Sequence, residues 1–143
     1  MTSYTITLLP GDGVGPEVTR VARDAMSFAA RLSGIELSFS ELAFGGAAID
    51  RFGEPLTPKT LAHCQASDAV FLGAVGGPKW DHAETRPEAG LLALREGLGV
   101  YDNLRPVSVH PALASRSPLR ADLVSDVDLL VVRELTGGIY FGK

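Results

Sequence analysis

The segment Arg133-Glu134-Leu135-Thr136-Gly137-Gly138-Ile139-Tyr140 sets a guanidinium and a phenol on either side of a glycine pair. A guanidinium offers a planar fork of donors to a carboxylate, and a phenol can give up a proton. That pairing suits an acid substrate whose reaction ends in a protonation. Arg95, after a leucine pair, and Arg105, near the start of a following strand, add two more forks, and the three together would suit a dicarboxylate. Taken singly, each arginine reads first as a solvated surface charge, and Tyr140, between Ile139 and Phe141, as a packed ring with a satisfied hydroxyl. Only convergence in space would raise them to a site.

Two glycine-rich loops are the other candidates. Gly73-Ala74-Val75-Gly76-Gly77-Pro78-Lys79-Trp80 is too rich in turn residues for a helix or a strand and is the first candidate binding loop. In Gly11-Asp12-Gly13-Val14-Gly15-Pro16-Glu17 the glycines fall at 11, 13 and 15, so the G-x-G-x-x-G dinucleotide fingerprint is not met. The Lys-Ser/Thr of a phosphate-gripping loop is also missing, and Asp12 and Glu17 would repel a pyrophosphate. A tight strand-to-helix turn is the plainer reading. His63, His82 and His110 are scattered without the spacing of metal ligands, and no metal site is assigned within the chain.

These residues need elements to hold them. Tyr4 to Leu9 reads as a strand ending at Pro10, followed by a helix from Pro16. Val18, Val21, Ala22, Ala25, Phe28, Ala29 and Leu32 recur on it at helical spacing, and Gly34 is its stop. Ile35, Leu37 and Phe39 alternate as in a half-buried strand, and Thr57-Pro58 opens a short helix through His63. Ala69 to Leu72 reads as a buried strand, and Pro87-Glu88 begins a helix carrying Leu91, Leu92 and Leu94. Asn103 to Val109, interrupted by Pro106, reads as an edge strand, and Val127 to Val132 as a buried one. The alternation predicts an α/β fold: an open, mostly parallel sheet flanked by helices, with ligand sites beyond the carboxyl ends of its strands.

Composition narrows the function classes. A formal charge of −4 with 45% apolar residues supplies no basic surface for nucleic acid or anionic lipid, so neither nucleic acid nor membrane is an expected partner. Cys64 stands alone, which suits a reducing, cytoplasmic setting and the role of a small core residue. The opening MTSYTITLLPGDG lacks the basic n-region and long apolar h-region of a secretory leader, so none is expected there.

In chain order, LLPGDGVGPEV, FGGAAIDRFGEPL, LGAVGGPKWD, RPEAGLLALREGLGVYDNLRP and VRELTGGIYFGK resemble the motifs of the isocitrate/isopropylmalate dehydrogenase family of metal-dependent decarboxylating dehydrogenases. The resemblance runs the whole length, and RPEAGLLALR resembles the 3-isopropylmalate branch in leucine biosynthesis. Isocitrate relatives place a serine and an asparagine near this point for a third carboxylate, whereas Glu88, Leu91 and Leu92 stand here. Two leucines make an apolar wall for an isopropyl group and would leave an extra carboxylate unpaired, at a cost of several kcal/mol.

The resemblance implies NAD-dependent oxidative decarboxylation of 3-isopropylmalate to 2-oxoisocaproate. Hydride passes to NAD⁺, the β-keto acid loses carbon dioxide, and the enol is protonated beside Mg²⁺ or Mn²⁺. It implies Arg95, Arg105 and Arg133 as substrate-binding arginines, with Glu88, Leu91 and Leu92 at the substrate tail, and Tyr140 as catalytic proton donor. The cofactor residues it implies are Val14, the loop Gly73, Ala74, Val75, Gly76, Gly77, Pro78, Lys79 and Trp80, and Glu88. Trp80 reads as an anchor of that loop as well.

The same resemblance implies the N-terminal part of a two-domain fold, with residues 1–100 the first half of a large cofactor-binding domain and 101–143 the start of a substrate and dimerisation domain. The general-base lysine and metal-ligating aspartates of this homodimeric family would follow residue 143, leaving these 143 residues alone inactive. The alternatives are a non-catalytic nucleotide- or anion-binding fragment and a related tartrate- or homoisocitrate-type dehydrogenase.

Overall fold

The structure, a computed structural model, describes residues 2–135 and 137. It divides into two compact units, residues 1–98 and 99–143.

The first unit alternates strands and helices: β1 (Thr2–Gly11), α1 (Gly15–Leu32), β2 (Ile35–Glu41), α2 (Gly46–Phe52), α3 (Pro58–Gln65), β3 (Ala69–Ala74), a 3-10 turn at Pro78–Trp80 and α4 (Pro87–Leu98). The strands form a parallel sheet in the order β2-β1-β3, with Ile6 opposite Phe39 on one side and Ala69 on the other. β1 is central, and its last residues, Thr7 to Gly11, are buried, as a strand covered on both faces must be. It runs through Pro10 to Gly11, past the stop expected at the proline, because Gly11 pairs with Ala74.

Local signals account for the helix ends. Thr57 accepts the Thr60 amide at 3.1 Å as N-cap of α3, Pro16, Pro58 and Pro87 lie in first turns, and Gly34 takes φ +67° just after α1. The core gathers Leu9, Phe44, Cys64 and Leu94, with Leu61, Leu72, Leu91 and Leu98 packed against it. Burying a leucine or phenylalanine side chain contributes roughly 1.5–3 kcal/mol. Burial also pushes the Cys64 thiol above its ordinary range.

α1 corrects one sequence expectation. The side chains it buries are those of Thr19 and Ala30, with Ala22 and Met26 half-buried, whereas Val18, Val21, Phe28 and Leu32 are exposed. Two stripes share this helix, and the one that runs through Thr19, Ala22, Met26 and Ala30 is the one covered.

Where β1 and β3 begin their pairing, the Asp68 carboxylate accepts from the Thr5 amide at 2.7 Å and the Thr5 hydroxyl at 2.9 Å. The amide bond first, then the hydroxyl, holds its pKa below the usual aspartate range. A depressed folded pKa contributes stability that is present above the unfolded value and lost as pH falls through the folded one. The stability gap between the wild type and Asp68→Asn is therefore expected to stay constant at neutral pH and to shrink below the ordinary aspartate pKa, as measured by urea midpoints against pH. A gap that widens on acidification would contradict this.

The second unit contains β4 (Asp102–Ser108), a 3-10 segment (Pro111–Arg116), α5 (Ala121–Val124) and β5 (Asp128–Glu134). β4 and β5 pair antiparallel, with Asn103 opposite Arg133 and Arg105 opposite Val131. Every residue of β5 is exposed, contrary to the buried strand expected from its apolar run. Among the described residues nothing buries either face of this two-stranded ribbon's β5, so apolarity alone did not give burial.

Candidate functional site

In a parallel sheet of order β2-β1-β3 the chain leaves β1 towards β2 on one side, and β3 adds on the other. The crevice beyond the carboxyl ends of β1 and β3 is the topological switch point, where open α/β sheets bind ligands. Both glycine loops emerge there. The Asp12 amide donates to the Ala74 carbonyl at 2.7 Å, and the Gly15 amide closes the first loop onto the Asp12 carbonyl at 2.8 Å.

Asp12 departs from the expectation that it would face and repel a phosphate. Its side chain turns inward, 3% exposed, and accepts the amides of Gly46 at 2.8 Å, Ala47 at 2.7 Å and Gly76 at 2.8 Å. α2 has no capping side chain of its own, and Asp12 caps it from 34 residues away. Sequence reasoning missed this role. The available signal was FGGAAID, a helix start with glycines where Ser, Thr or Asp would normally stand.

The candidate cofactor residues lie along this crevice. Gly73 and Ala74 end β3, Val75, Gly76 and Gly77 follow, and Pro78, Lys79 and Trp80 form the 3-10 turn. The Trp80 ring fills the space a Cβ on Gly46 would need, with ring carbons 2.4 Å from that point. Trp80 thus anchors its loop to α2. The Lys79 ammonium lies 2.5 Å from the Asp50 carboxylate and 5.1 Å from the Trp80 ring centre. Val14 is 57% exposed on the first loop, an apolar surface open to a ligand.

Glu88 reaches from the first turn of α4 to the same loop, its Oε1 2.8 Å from the place of a Cβ on Gly76. Its other oxygen lies 3.4 Å from Arg86 Nε. At 100° per residue Glu88, Leu92 and Arg95 form one strip of α4 beside the core-facing residues Pro87, Gly90 and Leu94. Leu91 lies between the two and packs against the core, and Leu92 and Arg95 are half-buried. The Arg95 guanidinium has neither hydrogen bond nor ion pair among the described residues.

In the second unit the register decides the placement of the other arginines. Asn103 faces Arg133 directly, and Arg105 is two residues further along, so Arg105 and Arg133 stand on the same face as diagonal neighbours. Arg105 Nε donates to Asn103 Oδ1 at 2.6 Å. Tyr140 lies outside the described residues. No group of three His, Cys, Asp or Glu side chains that could hold a metal ion occurs among the described residues, and no described helix is long and apolar enough to cross a membrane.

A model of the family described as isocitrate/isopropylmalate dehydrogenase matches residues 5–143. The chain belongs to that family. It is similar to 3-isopropylmalate dehydrogenase of Anaeromyxobacter dehalogenans (strain 2CP-C), 59% identical over 96% of this chain and 40% of that protein. The chloroplastic 3-isopropylmalate dehydrogenase 2 of Arabidopsis thaliana is 54% identical over 98% of this chain and 35% of its own length. The chain thus spans about two fifths of the length of the curated relatives it matches. Among solved structures, isocitrate dehydrogenase from Methylococcus capsulatus superposes with a TM-score of 0.72 at 31% identity, over 98% of this chain and 37% of that one. The beta-decarboxylating dehydrogenase of Thermococcus kodakarensis gives 0.63 at 28% identity, over 92% and 33%. The expected α/β fold with a parallel open sheet flanked by helices is thereby confirmed.

Proposed function

We propose that this chain is the cofactor- and substrate-recognition part of an NAD-dependent dehydrogenase that oxidatively decarboxylates 3-isopropylmalate to 2-oxoisocaproate in leucine biosynthesis. The observation that carries the reading is the strip Glu88, Leu92 and Arg95 on α4, one end of which abuts the glycine loop at the switch point. A carboxylate beside the loop, an apolar side chain and a half-buried cation in that order match a ligand with an alkyl tail and an acid group, lying next to a dinucleotide.

In this reading Val14, the Gly73–Trp80 loop and Glu88 line the NAD site. Arg95, Arg105 and Arg133 bind the two carboxylates and the hydroxyl end, Leu91 and Leu92 receive the isopropyl group, and Tyr140 protonates the enol. Residues 1–100 belong to the cofactor domain and 101–143 begin the substrate and dimerisation domain of a cytoplasmic homodimer. The family's Mg²⁺ or Mn²⁺ would stabilise enolate charge. The described residues contain no group of three His, Cys, Asp or Glu side chains that could hold it.

The apolar wall makes the reading testable. Leu92→Ala, in the native protein carrying this chain, is expected to lower kcat/KM for 3-isopropylmalate by about 10- to 200-fold, the usual worth of lost alkyl contacts. Turnover of malate, the same diacid without the branched tail, is expected to change little. Equal loss on both substrates would remove Leu92 from the pocket, and a wild type indifferent to the tail would overturn the reading.

A further inference from the structure

Three backbone amides that converge on one point make a nest that would hold a phosphate or carboxylate from solution. At the switch point the Gly46, Ala47 and Gly76 amides converge in this way, and the chain supplies the anion itself, through Asp12. The side chain is buried, and Gly45 leaves it room: a Cβ there would come within 2.7 Å of Asp12 Oδ2. Asp12 contacts three segments that are otherwise far apart in sequence: its own loop carries Val14, Gly46 and Ala47 begin α2, and Gly76 lies in the loop that touches Glu88 and leads to Trp80.

We propose that Asp12 is a positioning residue for the dinucleotide site, an internal anion that locks the Gly76 loop and the start of α2 against the Gly11–Gly15 turn. This rests on the proposed dinucleotide-binding reading for its functional consequence but not for the lock itself. Two consequences follow from the chemistry. The nest is filled, so the cofactor's diphosphate binds outside it, on whatever donors the loop edge offers. Removing the carboxylate leaves the buried Gly46 amide and the part-buried Ala47 and Gly76 amides without their acceptor, which both frees the Gly76 loop and creates a vacancy shaped for a small anion.

The test compares the wild type, Asp12→Ala and Asp12→Asn in the native protein, reading the amide resonances and hydrogen exchange of Gly46, Ala47 and Gly76 together with NAD⁺ affinity. Asp12→Ala is expected to raise exchange at all three amides and to weaken NAD⁺ by at least about tenfold, with KM for NAD⁺ rising more than kcat falls. Formate or acetate, entering the vacated nest, is expected to restore slow exchange and part of the affinity in Asp12→Ala while leaving the wild type unaffected. Asp12→Asn, which keeps one acceptor oxygen but sets an NH2 group against a donor, is expected to lie between and covers the case in which the alanine variant does not fold.

Unchanged exchange at Gly76 in either variant would overturn the lock. Loss of NAD⁺ affinity that no small carboxylate restores in a folded Asp12→Ala variant would overturn the internal-anion account. A wild type whose three amides are protected but which binds no NAD⁺ would support the lock and sink the dinucleotide reading, so the two failures are separable.

Discussion

Gly11→Ala is expected to cost at least about 3 kcal/mol of stability, enough to unfold a marginal domain. Gly11 has φ +73°, a left-handed conformation that itself costs an alanine roughly 1–2 kcal/mol. The added Cβ would lie 1.9 Å from the Ala74 carbonyl oxygen, and that oxygen is fixed by the neighbouring Asp12 amide at 2.7 Å. A flexible side chain could swing away, but here the obstacle is backbone in the sheet. Relief requires the ends of β1 and β3 to separate, and that opening would pull apart the two loops of the candidate site. Urea unfolding measures the loss. A change smaller than about 1 kcal/mol would show that the two strand ends do not approach as closely as described.

Arg95→Ala is expected to have the opposite signature, with stability nearly unchanged and activity reduced. The guanidinium has no partner among the described residues to lose, so unfolding should shift by no more than about 1 kcal/mol, from the packing of a half-buried alkyl stem. If it grips a substrate carboxylate, two charge-assisted hydrogen bonds disappear, together worth about 3–4 kcal/mol, or a hundredfold to a thousandfold in kcat/KM. Arg95→Lys keeps the charge but not the fork and should recover only part of the loss. An alanine variant with near-normal kcat/KM would return Arg95 to the solvated-surface reading.

These predictions draw unequally on the sequence. The starts of α3 and α4 were readable because capping is local: a threonine or proline acts on amides within one turn of itself. The βαβ alternation was readable for the same reason, and motif resemblance pointed to the family. Which apolar stripe of α1 meets the sheet was not readable, since Val18, Phe28 and Leu32 have the same spacing as the buried set and the choice belongs to the neighbour. The placement of Arg105 and Arg133 on one ribbon face depends on register, and a slip by one residue would put them on opposite faces. Asp12 was misjudged because its partners are 34 to 64 residues away and are backbone, which residue types do not announce. A carboxylate in a glycine loop looks like a repulsive charge until the amides around it are known.

The central claim is that this family member recognises an alkyl-tailed malate beside NAD. Its most direct test is NADH formation by the native protein carrying this chain, measured side by side with 3-isopropylmalate, isocitrate and tartrate in the presence of NAD⁺ and Mg²⁺ or Mn²⁺. The account predicts turnover of 3-isopropylmalate at a kcat/KM at least about a hundredfold above either other acid, with carbon dioxide released in step with NADH. Preferred turnover of isocitrate or tartrate, or NADH without carbon dioxide, would contradict it.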